Sequence, residues 1–156
     1  MRRTAPLILL VALALAACGS ADQDNTPATC LNGSRAFSDA LQAAPGVVRL
    51  SGEVPISDCL VSNQSAGDLA RVGGTLVALA TKLNAQAHQD PGGAPTLQLG
   101  YLVGAVTRGA GNTQGIHAEL VRRIEAAALY SPAGKPPPEP FDHTYEKGYA
   151  AGKDDG

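Results

Sequence analysis

The stretch that decides the fold runs from Ala66 to His88 and reads AGDLARVGGTLVALATKLNAQAH. Ser65, just before it, is a residue type that caps helix N-termini, and Asp68 falls in the first turn, where the helix dipole favours negative charge. Apolar residues recur in it every three or four positions: Leu69, Val72, Leu76, Leu79, Ala80, Leu83 and Ala87. This spacing places them on one stripe and predicts a helix with a single buried face.

A second helix is predicted from about Thr96 to Arg108, after the break at Pro91-Gly92-Gly93. Gly100 and Gly104 form a strip of small residues along it. Such a strip lets two backbones approach closely, which in lipid favours dimerisation and in a water-soluble bundle favours tight packing; we favour packing. The apolar side carries Leu99, Leu102, Val103 and Val106.

A third long helix is predicted from about Thr113 to Tyr130, and a short one from Ser34 to Ala44 with Ser34 as its cap. In the long helix, His117 is expected on the solvent side. The residues expected to point inward are Ile116, Leu120, Ile124, Ala127 and Ala128. Short connections favour antiparallel neighbours, so the expected fold is mainly α: a small antiparallel helical bundle. Residues 47–50 are expected to be extended, but no strand partner is evident and a sheet is not expected.

The N-terminus has the pattern of an export signal. Arg2 and Arg3 precede an apolar run over residues 7–15, which is too short to span a bilayer. The run ends in Leu15-Ala16-Ala17-Cys18, small residues followed by a cysteine. An ordinary secretory signal with a fortuitous cysteine is the alternative interpretation.

The motif Leu15-Ala16-Ala17-Cys18 resembles the signal of bacterial lipoproteins. The mature region is also similar, loosely and through residues 67–73, to small uncharacterised lipoproteins of actinobacteria. The resemblance implies cleavage of a signal peptide, residues 1–17, and a diacylglyceryl thioether on Cys18, which would become the first residue. It implies a cell-membrane, lipid-anchored, extracytoplasmic location and no known activity. Several acyl chains would hold the protein far more firmly than one.

Cleavage would leave 139 of the 156 residues, enough for one domain. We expect a flexible tether over residues 18–29, the helical domain over 30–130, and a Pro-rich spacer with a short aromatic helix over 131–156. Without the two N-terminal arginines, ten basic residues face 14 acidic ones, a formal net charge of about −4. Since no basic cluster remains, nucleic acid is not an expected partner, and the membrane would be held through lipid.

Cys30 and Cys59 remain as an even pair, 29 positions apart. On the oxidising side of a membrane such a pair predicts a disulfide, which would close the N-terminal segment of the domain. By the chain-entropy estimate it would contribute about 3.5 kcal/mol. A metal pair or a reactive thiol is the alternative, but no nearby His or acidic cluster completes a zinc set and no Cys-x-x-Cys spacing is present.

The C-terminal segment carries aromatic residues at a helical spacing. Residues 131–140 are rich in proline and predict an extended spacer. Phe141, Tyr145 and Tyr149 follow, four residues apart, and would lie on one face of a short helix. This face either docks on the bundle or is offered to a protein partner in the cell envelope.

The sequence contains none of the common catalytic motifs, so no catalytic residue, cofactor or metal site is predicted. His88, His117 and His143 share no metal-ligand spacing. Residues 109–115 could hold an anion, but a turn between helices is the simpler interpretation. We therefore expect a membrane-anchored lipoprotein acting as a non-catalytic binding or scaffolding module of the cell envelope. The alternative is an envelope enzyme or a small-ligand-binding protein whose site is assembled from scattered polar residues.

Overall fold

The computed structural model describes residues 25–130 and 134–156, and these residues form a mainly α structure. Over these ranges the α-helices are α1 (Ser34–Leu41), α2 (Ala66–Ala87), α3 (Ala94–Gly111), α4 (Ala118–Ala128) and α5 (Glu139–Asp155). Two short 3₁₀ helices span Ala28–Leu31 and Ile56–Cys59, and an isolated antiparallel bridge joins Leu50 to Val54. The mainly α class is confirmed. The expected export signal, Cys18 and most of the expected tether lie outside the described residues.

Helix α2 follows its sequence pattern closely. The Ser65 hydroxyl accepts a hydrogen bond from the backbone N–H of Asp68 at 3.1 Å, so the predicted cap is confirmed. The apolar stripe faces the core, with Leu69 alone half-buried; its buried members are Val72, Leu76, Leu79, Ala80, Leu83 and Ala87. The helix therefore forms one wall of the core, as predicted.

The N-terminal segment is closed by a disulfide between Cys30 and Cys59, as predicted. The bridge joins the two 3₁₀ helices, with the Cα atoms 5.6 Å apart and both residues buried. The predicted cap of α1 was wrong: Ser34 is the first helical residue, and Gly33, with a φ of 79°, occupies the capping position. Glycine reaches this left-handed conformation at little cost, which explains why the helix begins there.

The start of α4 differs from the prediction by a turn. Gln114 and Gly115 have φ values of 53° and 90°, so the helix begins only at Ala118. This turn changes the placement of the two residues just before the helix. Ile116, expected inside, is 43% exposed, and His117, expected in solvent, is fully buried. Both placements were therefore predicted wrongly, although Leu120, Ile124 and Ala128 are buried as expected.

Helices α3 and α5 run in the same direction and touch along their backbones. Gly100 lies against Tyr145, and Gly104, one turn later, lies against Tyr149. At the far end the guanidinium of Arg108 donates to the carbonyl oxygens in the last turn of α5, as does Arg49 to Asp155 at 2.8 Å. The glycine strip thus serves packing within the chain. The antiparallel order predicted for the three long helices stays a prediction, and α5, which that prediction did not include, runs parallel to α3.

In residues 25–130 and 134–156, no helix combines the length and the apolar content that crossing a bilayer requires. Residues 134–138 of the expected spacer have no regular secondary structure, residues 139–140 already belong to α5, and residues 131–133 lie outside the described residues. The aromatic helix that follows is longer than predicted, because α5 extends over 17 residues.

Candidate functional site: the groove between α4 and α5

The three aromatic residues of α5 form a row along one face of the helix. The ring centroids of Phe141 and Tyr145 lie 5.6 Å apart, and those of Tyr145 and Tyr149 lie 6.3 Å apart. The row packs on the helical body: Phe141 is only 5% exposed, and both tyrosines are half-buried. The structure therefore brings the predicted residues together but leaves only the two tyrosines accessible in part.

Two further rings continue the row beyond α5. Tyr130, just after α4, packs against Phe141 with a centroid distance of 4.3 Å, and His88, at the end of α2, stacks on Tyr130 at 4.2 Å. Sequence reasoning missed both residues. They share no helical spacing with α5, because their contact depends on the ends of three helices meeting.

The end of α4 is fixed by a side chain from α2. The Asn84 amide donates hydrogen bonds to the carbonyl oxygens of Ala127 and Leu129, each at 3.0 Å. These carbonyls lie at a helix C-terminus, where main-chain oxygens lack intrahelical partners. The bonds hold the chain in place as it leaves α4, where the Leu129 side chain remains 53% exposed.

A surface groove with a volume of about 240 Å³ lies between α4 and α5. It is lined by Glu125, Ala128, Leu129, Tyr130, Lys135, Pro137, Phe141, Asp142 and Tyr145. Burial raises the pKa of Tyr145, and the neighbouring Tyr149 and Glu125 raise it further, so the phenol is neutral at physiological pH. The groove combines apolar and aromatic walls with two carboxylates and one ammonium group.

A second polar cluster is centred on the buried His117. Its ring nitrogens lie 2.8 Å from the Thr113 hydroxyl and 2.7 Å from Oε1 of Gln64. The Gln64 amide nitrogen donates to the carbonyl of Cys59 and to the hydroxyl of Thr26, each at 2.9 Å. With its amide nitrogen used in this way, Gln64 offers an acceptor to His117, so Nε2 of the ring must carry a proton.

This cluster ties three separate segments together. Gln64 connects the first described residues, the disulfide region and the turn before α4 through one amide group. Burial lowers the pKa of His117, which favours the neutral ring. Its hydrogen-bond partners Thr113 and Gln64 are both uncharged. The cluster is therefore suited to a structural role, in which it stabilises the fold. Sequence reasoning missed Gln64, whose role depends on contacts across the chain.

In the described ranges, no group of three or more His, Cys, Asp or Glu side chains is arranged to hold a metal ion. Comparison of the chain with protein-family models, curated proteins and solved structures finds no match in any of the three.

Proposed function

We propose that the chain is a lipid-anchored, extracytoplasmic lipoprotein that acts as a non-catalytic binding module of the cell envelope, with the α4–α5 groove as its contact surface. The observation that carries this proposal is the exposed Leu129 side chain, which lies beside the partly covered aromatic row. An apolar surface rimmed by polar groups is typical of protein interaction sites.

The proposed compartment has two supports. The pattern Leu15-Ala16-Ala17-Cys18 is that of a lipoprotein signal. The disulfide between Cys30 and Cys59 is a bond that persists mainly in oxidising environments outside the cytosol.

The length of the proposed tether limits where a partner could lie. The Thr26 hydroxyl already accepts a hydrogen bond from Gln64 of the domain. Only about eight residues, Cys18 to Asn25, would therefore separate the lipid from the folded domain. Fully extended, they span roughly 28 Å. The module would therefore contact partners close to the membrane surface.

Two residues from α2 and its C-terminal end fix the walls of the groove, which favours binding. Asn84 fixes the main chain at Leu129, and His88 stacks on Tyr130. A partner would not have to order this surface, so less conformational entropy is lost on association. The aromatic residues supply contact area with few rotatable bonds.

The test is site-specific photo-crosslinking of the full chain in bacterial membranes, with a photoreactive amino acid in place of Leu129. Val47 is the matched control position, since it is apolar and 62% exposed but does not line the groove. We expect a defined product with an envelope protein from position 129 and none from position 47. Equal products from both positions, or none from position 129, would refute the contact surface.

Deleting residues 141–156 would not be a clean test. The backbone of α5 lies against Gly100 and Gly104 of α3, so the deletion would uncover the core as well as remove the aromatic row. A failure to bind would then report unfolding. The substitution Leu129→Ser is the better loss-of-contact variant, because that side chain is already more than half exposed.

A further inference from the structure

We infer that the α4–α5 groove selects a basic peptide segment, with a lysine or arginine side chain between Glu125 and Asp142 and an apolar neighbour on Leu129. This inference rests on the proposed function and adds the chemical class of the partner. It depends on which charged groups line the groove and from which elements they come.

The two carboxylates reach the groove from different helices. Glu125 belongs to α4 and Asp142 to α5, and both line the same cleft. The one basic side chain among the lining residues is Lys135. The lining therefore carries one negative charge in excess, which favours a cation and disfavours an acidic peptide.

The surface between these charges suits the shape of a basic side chain. Lysine and arginine bury their aliphatic stems on apolar surface while their charged groups stay in water. Here Ala128, Leu129 and Tyr145 supply apolar and aromatic surface, and the carboxylates of Glu125 and Asp142 belong to the same lining. A neutral apolar segment could use the surface but not the carboxylates.

The charge of Lys135 should affect the affinity for a cation in the opposite direction from the two carboxylates. Its ammonium group offsets part of the negative charge, so removing it should strengthen the binding of a cation. Removing Glu125 and Asp142 should weaken it. Charge variants that move affinity in opposite directions are difficult to explain by a general loss of folding.

The experiment uses the full-length protein in neutral detergent micelles and three fluorescein-labelled hexapeptides. One alternates leucine with lysine; in the others glutamate or serine replaces each lysine. Fluorescence anisotropy measures the affinity, with empty micelles as the background. The variants are Glu125→Gln/Asp142→Asn, Lys135→Gln and, as a matched control, Glu146→Gln, an exposed carboxylate of α5 outside the groove.

We expect the lysine peptide to bind most tightly. The double variant should weaken its binding by about tenfold, and Lys135→Gln should strengthen it by about threefold, the scale of exposed ion pairs. Glu146→Gln should change it little. The binding should also weaken as salt is raised.

Failure of this inference can be told apart from failure of the proposed function. If the serine peptide binds as tightly as the lysine peptide, or if the double variant binds no more weakly than Glu146→Gln, charge selection is wrong and the contact surface stands. Binding of no peptide also overturns charge selection. The proposed contact surface is refuted only if the crosslinker at position 129 gives no product, or gives the same products as the control at position 47.

Discussion

A Cβ atom on Gly100 would overlap the main-chain carbonyl oxygen of Tyr145, so the backbones of α3 and α5 are in direct contact there. Gly148 of α5 has the same relationship to the carbonyl of Leu97 in α3. Both helices therefore need glycine at the contact, because a side chain on either one would meet the main chain of the other. The position of the aromatic row, and with it one wall of the groove, depends on this contact.

The substitution Gly100→Ala should therefore destabilise the protein. The added methyl group meets main-chain atoms, which cannot rotate away, so we expect the free energy of unfolding to fall by about 1–3 kcal/mol. The matched control is Gly74→Ala in α2, where the new Cβ meets no atom within 4 Å beyond the backbone of its own helix and the adjoining residues. It should raise stability by up to about 1 kcal/mol through helix propensity. Urea unfolding followed by circular dichroism measures both; equal effects would show that α3 and α5 are not in close contact.

Local sequence pattern was sufficient for α2 and for the tight packing of α3. The stripe from Leu69 to Ala87 has one consistent helical period, and Gly100 and Gly104 mark a close approach. The partner of that approach was not predicted, although Gly148 and Gly152 have the same spacing. Matching the two strips would have paired α3 with α5 from sequence alone.

The turn before α4 could not be predicted in this way. Gln114 adopts a left-handed conformation that nothing in its own chemistry requires. Residues 112–117 form a turn instead of the first part of α4, so Ile116 and His117 exchange their expected environments while Leu120, Ile124 and Ala128 keep theirs. The groove was missed for a related reason: Asn84, His88 and Tyr130 meet only after the helices have packed.

Replacing both Cys30 and Cys59 with serine should lower the free energy of unfolding by about 2–4 kcal/mol, because the unfolded chain gains the freedom that the bridge removes. Urea unfolding under non-reducing conditions measures the loss. A thiol assay of the denatured wild type should detect neither cysteine until a reductant is added. Reactive thiols at these positions without reductant would contradict the bond.

Cys18→Ser should release the protein from the membrane without changing its fold, since the proposed lipid is attached at that residue. We expect wild type to enter the detergent-rich phase of a phase-separation assay and the variant to enter the aqueous phase. The urea midpoint of the variant is the control and should match that of the delipidated domain. A wild-type protein that keeps residues 1–17 and stays in the aqueous phase would refute the anchor.

Stability should fall in mildly acidic solution because of His117. In the unfolded chain its pKa is about 6.5, and burial lowers it in the folded protein. Above pH 6.5 both states hold a neutral ring, so His117 adds no pH dependence. Below that value the unfolded state takes up the proton first, and the free energy of unfolding falls until the pH passes the folded pKa.

Comparison with His117→Gln isolates this effect, because all other titrating groups are shared. The stability advantage of wild type over the variant should be greatest above pH 6.5 and should shrink as the pH falls, in urea unfolding measured between pH 8 and 5. Nitrogen chemical shifts of the ring should show a midpoint below 6.5. An advantage that grows in acid would mean that the site holds imidazolium, in which case Thr113 and Gln64 would both accept from the ring.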